Sequence, residues 1–224
     1  MQYTHKILCS ALTGILTASA MSASAQEEPA GFYVTAYVQA SRLNSTSFDE
    51  TGTAGFGRGL KADFDLGLGL GGDFGYRYGN GWAAEIEWNY RRHDLDSLSA
   101  GRALRVDEGD FASNVFFVNG LRRFARPGSN WTPYAGLGLG WVQEIDFDLN
   151  SGPIERAWST QGEFGAQLVG GAELSLGDHW RLTADVRLLR LGEIELPAEE
   201  GVTGRLAKPE YNPLSFQIGL RRSF

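Results

Sequence analysis

Cysteine is nearly absent from this chain. One cysteine in 224 residues, Cys9, excludes an intramolecular disulfide framework and any cysteine-rich zinc site. Basic charge is also short: 20 Lys and Arg stand against 27 Asp and Glu, a net charge of −7. A broad basic patch for nucleic acid or anionic lipid does not fit that balance. Proline numbers only 7. Beyond the amino-terminal segment no apolar run reaches the roughly 18 residues of a helical membrane span. What is plentiful is glycine, 30 residues, about twice ordinary usage. Aromatics make up 12% and apolar residues 42%, so the chain is not of the disordered, weakly hydrophobic kind. Much glycine, many aromatics and little cysteine suit an all-β architecture of one or two domains.

The amino terminus reads as an address. Lys6 precedes an apolar stretch from Ile7 to Ala20, and Ala23-Ser24-Ala25 precedes Gln26. A positive segment, a short apolar core and a small-x-small site make a secretory signal peptide cleaved after Ala25. The apolar core is too short and too broken by Ser and Thr to cross a bilayer. Cys9 lies inside that core rather than at its end, which argues against a lipoprotein. The expected organisation is residues 1–25 as a cleaved signal peptide and 26–224 as one β-domain.

Downstream the chain alternates with period two, the mark of half-buried strands. Phe64, Leu66, Leu68, Leu70, Gly72, Phe74, Tyr76 and Tyr78 share one face; Asp65, Gly67, Gly69, Gly71, Asp73, Gly75 and Arg77 share the other. Trp82, Ala84, Ile86, Trp88 and Tyr90 oppose Ala83, Glu85, Glu87, Asn89 and Arg91. The same logic holds over 134–141, 163–176, 180–188 and 214–224. Two further strands, Gly31 to Leu43 and Phe111 to Phe124, leave their faces unassigned. The count is eight. Short connections at Gly79–Gly81, Ala125–Asn130 and Gly177–His179 alternate with long ones near Asn44–Lys61, Asp94–Asp110, Leu149–Gln161 and Glu195–Tyr211.

Short turns on one side and long loops on the other fit an up-and-down transmembrane β-barrel with both termini on the periplasmic side. Its polar face carries Asp65, Asp73, Glu85, Glu87, Arg91, Glu144, Asp146, Glu163, Glu173, Arg181, Asp185, Arg187 and Arg221. At mid-bilayer each charge facing lipid costs up to about 2–4 kcal/mol, so these residues must face inward or sit at the interfaces. Alternation alone does not separate this barrel from a soluble, calycin-like one with inverted faces. Long apolar faces opposite glycine favour the membrane. So do aromatics at the strand ends: Tyr76, Tyr78, Trp82, Trp131, Trp180 and Phe224 near the short turns, Phe64, Tyr90, Phe147 and Phe164 near the loops.

At this point the chain resembles small outer-membrane β-barrel proteins of the OmpA-like and opacity-type surface family. The resemblance rests on the signal peptide, Gly71-Gly72-Asp73-Phe74-Gly75-Tyr76-Arg77-Tyr78, Trp82-Ala83-Ala84-Glu85-Ile86-Glu87-Trp88-Asn89-Tyr90, Pro133-Tyr134-Ala135-Gly136-Leu137-Gly138-Leu139-Gly140 and the final Phe224. It implies an eight-stranded antiparallel barrel in the outer membrane of a Gram-negative-type bacterium. It also implies insertion by the outer-membrane machinery through the last strand, with Phe224 as part of the signal. Antigens, adhesins and envelope-stabilising proteins belong to that family. The chain departs from full-length OmpA-like proteins in carrying no peptidoglycan-binding domain, which puts a cell-wall tether in doubt.

An eight-stranded barrel is just wide enough for side chains to fill. Inward glycines at 67, 69, 71, 136, 138 and 140 leave room for longer neighbours, so Glu85, Glu87, Arg181, Asp185, Arg187 and Arg221 are the candidates for a salt-bridged plug; solvated charges near the barrel ends are the alternative. Other motifs carry less. Gly67–Gly72 matches G-x-G-x-x-G, but the glycines fall within one strand, where no dinucleotide site forms. His93, Asp94, Asp96, Ser97 and Ser99 supply residue types for a rim hydrolase, but lack a paired nucleophile and base; a solvated loop histidine is the plainer reading. His179 reads as a turn residue. Asp94 and Asp96 with Asp107, Glu108 and Asp110 could reach a divalent cation through oxygen ligands, although the spacing is not an EF-hand.

The expectation is therefore a non-enzymatic barrel without cofactor or metal, with a structural or surface-interaction role. Its partners would be outer-membrane lipid and lipopolysaccharide, the insertion machinery, and an outside partner reached through the loops. A narrow solute channel is the alternative, and a lipid-modifying enzyme a third reading.

Overall fold

The computed structural model describes residues 29–104, 106–151, 154–199 and 203–224. The signal-peptide reading of 1–25 lies outside them. The chain forms β1 (Gly31–Arg42), β2 (Thr46–Gly52), β3 (Arg58–Phe64), β4 (Gly67–Arg77), β5 (Trp82–Ser99), β6 (Ala103–Leu104) and β7 (Glu108–Arg123). There follow β8 (Trp131–Ser151), β9 (Ile154–Thr160), β10 (Phe164–Ser175), β11 (Trp180–Arg190), β12 (Glu193–Pro197), β13 (Gly204–Glu210) and β14 (Leu214–Ser223).

Eight of these close a ring. Antiparallel pairing runs β1–β4–β5–β7–β8–β10–β11–β14, and β14 pairs back on β1 from Tyr33↔Ser223 to Arg42↔Leu214. Closure leaves no edge, the condition for strands to cross hydrocarbon. The outer face is apolar: Val38, Leu68, Leu70, Ile86, Val118, Leu137, Leu139 and Ile218 are all exposed. The inner face is polar and buried, with Glu87, Asn89 and Ser41 at 0% exposure. This is the inverse of a soluble barrel. The two unassigned strands are now placed: Tyr33, Thr35, Tyr37, Gln39 and Ser41 of β1 and Phe117, Asn119 and Leu121 of β7 face inward.

The connections expected as long loops are themselves strands. β5, β7 and β8 run past the membrane ring, and β9 pairs with the top of β8. β3 pairs with the top of β5, and β2, β13 and β12 follow in order. β12 returns to β9 through a bridge at Trp158↔Ala198 and a hydrogen bond from the Glu199 N–H to the Ala157 carbonyl, 2.8 Å. A second closed ring thus stands on the first. Its interior is apolar: Phe48, Leu60, Phe111, Phe147, Leu149, Trp158, Leu196, Leu206 and Tyr211 are 0–1% exposed.

A β-bulge produces this change of interior. Val115 pairs with Val142 and Asn114 with Glu144, so Gln143 is an extra residue in β8. One inserted residue flips every side chain beyond it. Ile145, Phe147 and Leu149 turn inward, and Glu144, Asp146 and Asp148 turn to the outer surface. The expectation that Glu144 and Asp146 face inward is corrected accordingly. Phe64 and Phe147 are corrected too. They do not belong to the lipid girdle but pack inside the cap, 6.3 Å apart between ring centroids. Asp65 is exposed and Glu163 half-buried, both in connections rather than in the lumen.

Candidate functional site: the lumen network and the cap above it

The inner face of the membrane ring gathers five carboxylates, Asp73, Glu85, Glu87, Glu173 and Asp185, and six guanidiniums, Arg77, Arg91, Arg123, Arg181, Arg187 and Arg221. Near-equal numbers let each buried charge find an opposite partner, without which burial is prohibitive. Two centres result. In the upper one, Glu87 accepts hydrogen bonds from the Tyr37 hydroxyl at 2.6 Å, Asn119 Nδ2 at 2.7 Å and Gln167 Nε2 at 3.0 Å, and is ion-paired with Arg187. Arg187 Nε also donates to Asp185 at 2.8 Å, and Asp185 accepts the Tyr134 hydroxyl at 2.7 Å.

The lower centre is built on Arg221. Its guanidinium meets Glu85 at 2.7 Å and Glu173 at 3.3 Å, donates to Thr35 Oγ1 at 2.9 Å, and lies 4.2 Å from the centroid of the Tyr33 ring. Glu85 accepts the Tyr33 hydroxyl at 2.8 Å. Glu173 also pairs with Arg123 and, at 3.5 Å, with Arg181. All six candidates for the plug, Glu85, Glu87, Arg181, Asp185, Arg187 and Arg221, are therefore on the inner face.

Three tyrosines complete the network and were not anticipated. Tyr33, Tyr37 and Tyr134 lie opposite Gly75, Gly71 and Gly171 on the neighbouring strand. A Cβ at Gly75 or Gly71 would collide with the tyrosine ring opposite, so glycine is what lets Tyr33 and Tyr37 lie across the lumen. The readable signal was an aromatic on the polar face beside a glycine of the next strand.

Above the charges comes a neutral polar layer. Gln39 donates to Asn89 at 2.9 Å, Ser215 to Ser41 at 3.1 Å, and His93 Nε2 lies 3.1 Å from Ser41 Oγ. His93 is fully buried, not the solvated loop residue that its position suggested. Alternation sends Asp94 to the opposite face, and Ser97 bonds to Asp63, so the possible hydrolase set is not assembled. Arg92 bridges Asp94 and Asp110 at 3.2 Å each, which takes two carboxylates from the possible cation cluster. Among the described residues no three metal-ligating side chains converge.

On the lipid side the lower girdle contains Trp82, Trp131, Trp180, Tyr78 and Phe224, all exposed. Arg122 lies over Trp82 and Arg222 over Trp180 and Phe224, at 5.3–5.6 Å. Tyr90, Trp141 and Phe164 mark the upper one. Two aromatic girdles around an apolar band, a polar lumen and a closed antiparallel ring define a transmembrane β-barrel.

The comparisons agree. The family model for the outer membrane protein beta-barrel domain matches residues 10–224, and the chain belongs to that family. It is an outer-membrane protein of the Gram-negative type. Among solved structures it is similar to the outer membrane protein OprG of Pseudomonas aeruginosa, with a TM-score of 0.68 and 19% identity over 89% of this chain and 99% of that one. It is also similar to Neisserial surface protein A, with a TM-score of 0.51 and 18% identity over 88% of this chain and 100% of that one. At such identities the likeness shows the fold alone. No curated protein matches the sequence.

Proposed function

We propose that this chain is a non-enzymatic outer-membrane barrel whose membrane ring is a plugged anchor and whose rigid cap is its working surface. The role is structural or one of surface interaction. The carrying observation is the filled lumen: Glu87 at 0% exposure, held by four partners drawn from strands on opposite sides of the ring. Residues committed to one another in this way leave no open path for water. The apolar interior of the cap adds a second, dry barrier.

Partners follow from the same reading. Lipid and lipopolysaccharide surround the apolar band. The insertion machinery takes the last strand, with outward-facing Phe224, 68% exposed, as its signal. An outside partner meets the cap, and no nucleic acid is involved.

The test is a strain lacking the chain, complemented or not. Resistance to detergent and uptake of small solutes are measured together. The proposal expects detergent resistance to fall without the chain and to return with it, while uptake is the same in every strain. Uptake that rises with expression would overturn it in favour of a channel.

A further inference from the structure

Lipid-facing arginines are costly unless something anionic meets them. A cation on the lipid face of a barrel loses up to about 2–4 kcal/mol at the midplane and little at the interface. Three arginines point outward at the upper ends of membrane strands: Arg42 ends β1, Arg190 ends β11, and Arg92 lies in β5 where the ring passes into the cap. Arg92 is neutralised within the protein by Asp94 and Asp110. Arg42 and Arg190 are exposed and have neither a carboxylate nor an aromatic ring among the described residues. At the lower girdle, by contrast, Arg122 and Arg222 both lie over tryptophan rings.

Beside Arg190 the lipid face is not smooth. Ala166 of β10 pairs with Leu139 on one side and Arg190 on the other. Its small side chain floors a depression of about 380 Å³, walled by Leu137, Leu139, Leu168 and Leu188 and edged by Arg190. That volume is at the lower end of the range for small-molecule sites, roughly 300–1,000 Å³. Gly138 and the buried Gln167 complete a lining that is otherwise aliphatic apart from its arginine edge, and the slot lies below the Trp141 and Phe164 girdle, at the depth of outer-leaflet acyl chains.

We propose that this slot is a specific binding site for one phosphorylated, acylated glycolipid of the outer leaflet, of the lipid A type. One acyl chain lies in the slot over Ala166, and Arg190 meets a phosphate. Arg42, two strands away across β14, meets the second charged end of the headgroup. Charge complementarity singles out this occupant: two unpaired cations near the upper ends of β1 and β11, offset by two residues in register, suit a lipid with two phosphates better than a phospholipid with one. The guanidinium fork is shaped for bidentate phosphate contact. The inference is independent of what the cap binds.

The test uses the full-length mature chain refolded in detergent and examined by native mass spectrometry. Diphosphoryl hexa-acyl lipid A, its dephosphorylated form and phosphatidylglycerol are added in turn. Wild type is expected to retain one lipid A, about tenfold more than either comparator, the size of one lost charge-assisted contact. R190Q and R42Q are each expected to lose most of that preference. Ala166→Phe, which fills the slot, is expected to lower retention while the heat-modifiable gel shift shows the barrel still folded. R92Q is expected to retain lipid A as wild type does. Equal retention of phosphatidylglycerol, or lipid A retention unchanged in R190Q and in Ala166→Phe, would overturn the proposal.

Discussion

At the scale of single residues, the lumen is held by pairs that cannot be broken singly at low cost. Removing Arg187 leaves Glu87 and Asp185 buried without their cation. Breaking a buried pair in this way is worth about 3–5 kcal/mol. Arg187→Ala should therefore lower the unfolding free energy of the detergent-folded barrel by that amount and move its urea midpoint down accordingly, read by loss of the heat-modifiable band. An unchanged midpoint would mean that the charges are solvated. Gly75→Val should also destabilise, by about 1–3 kcal/mol, because its side chain meets the Tyr33 ring across the strand pair. A Tyr33→Ala partner change should recover part of that loss if the clash is the cause. The charged half of this network was legible in the sequence, since period two put Glu85, Asp185 and Arg221 on one face. The tyrosines were not, because the first strand, which carries Tyr33 and Tyr37, alternates too weakly to assign its faces, and Tyr134 is a single aromatic on a face otherwise made of glycine.

At the scale of elements, the decisive feature is the extra residue in β8. The strand reads cleanly from Tyr134 to Trp141, and continuing the same phase puts Glu144 and Asp146 on the inward face or at the interface. The bulge reverses them, and with them the chemistry of the interior, from ion pairs to phenylalanine. Deleting Gln143 should restore the original phase and send Ile145, Phe147 and Leu149 outward, where they lose the contacts of the cap core. The expected result is a membrane ring that still shifts on heating, with a cap cut by protease at 46–64 and 193–210. An intact cap would show that the bulge is not what sets the phase.

The acids turned out by the bulge have their own consequence. Asp146, in the cap and outside the membrane span, is pushed up to about 7, first by burial, then by Glu144, Asp148 and the carboxylates beyond them. Its folded value is above the ordinary one, so the protonated form favours the fold. That contribution is complete below about pH 4, the unperturbed value of an aspartate, and is lost as pH rises through 7. Hydrogen exchange of the 145–149 amides, corrected for the intrinsic rate, should accelerate between about pH 4 and 7 and level off above. In Asp146→Asn that acceleration should be much reduced. The cap strands themselves were hidden in the sequence because each is short, interrupted by glycine and polar at its ends. They form only because β5, β7 and β8 supply edges to pair with and an apolar interior to cover.

At the scale of the whole molecule, two closed rings share three strands, one standing on the other. The lower ring exchanges membrane hydrocarbon outside for ion pairs inside. The upper ring exchanges water outside for an apolar core. The eight membrane strands, their closure and the lipid-facing side were all legible, because charge is confined to one face wherever the alternation is strict. The second ring depends on pairings between segments far apart in sequence, such as β13 with β2, and no local pattern announces them. Single-channel recording of the refolded chain in a planar bilayer tests the sealed molecule most directly. The account predicts a flat trace at every voltage that the bilayer tolerates. Discrete ohmic steps that scale with protein added, from wild-type chain of proven heat-modifiability, would contradict it.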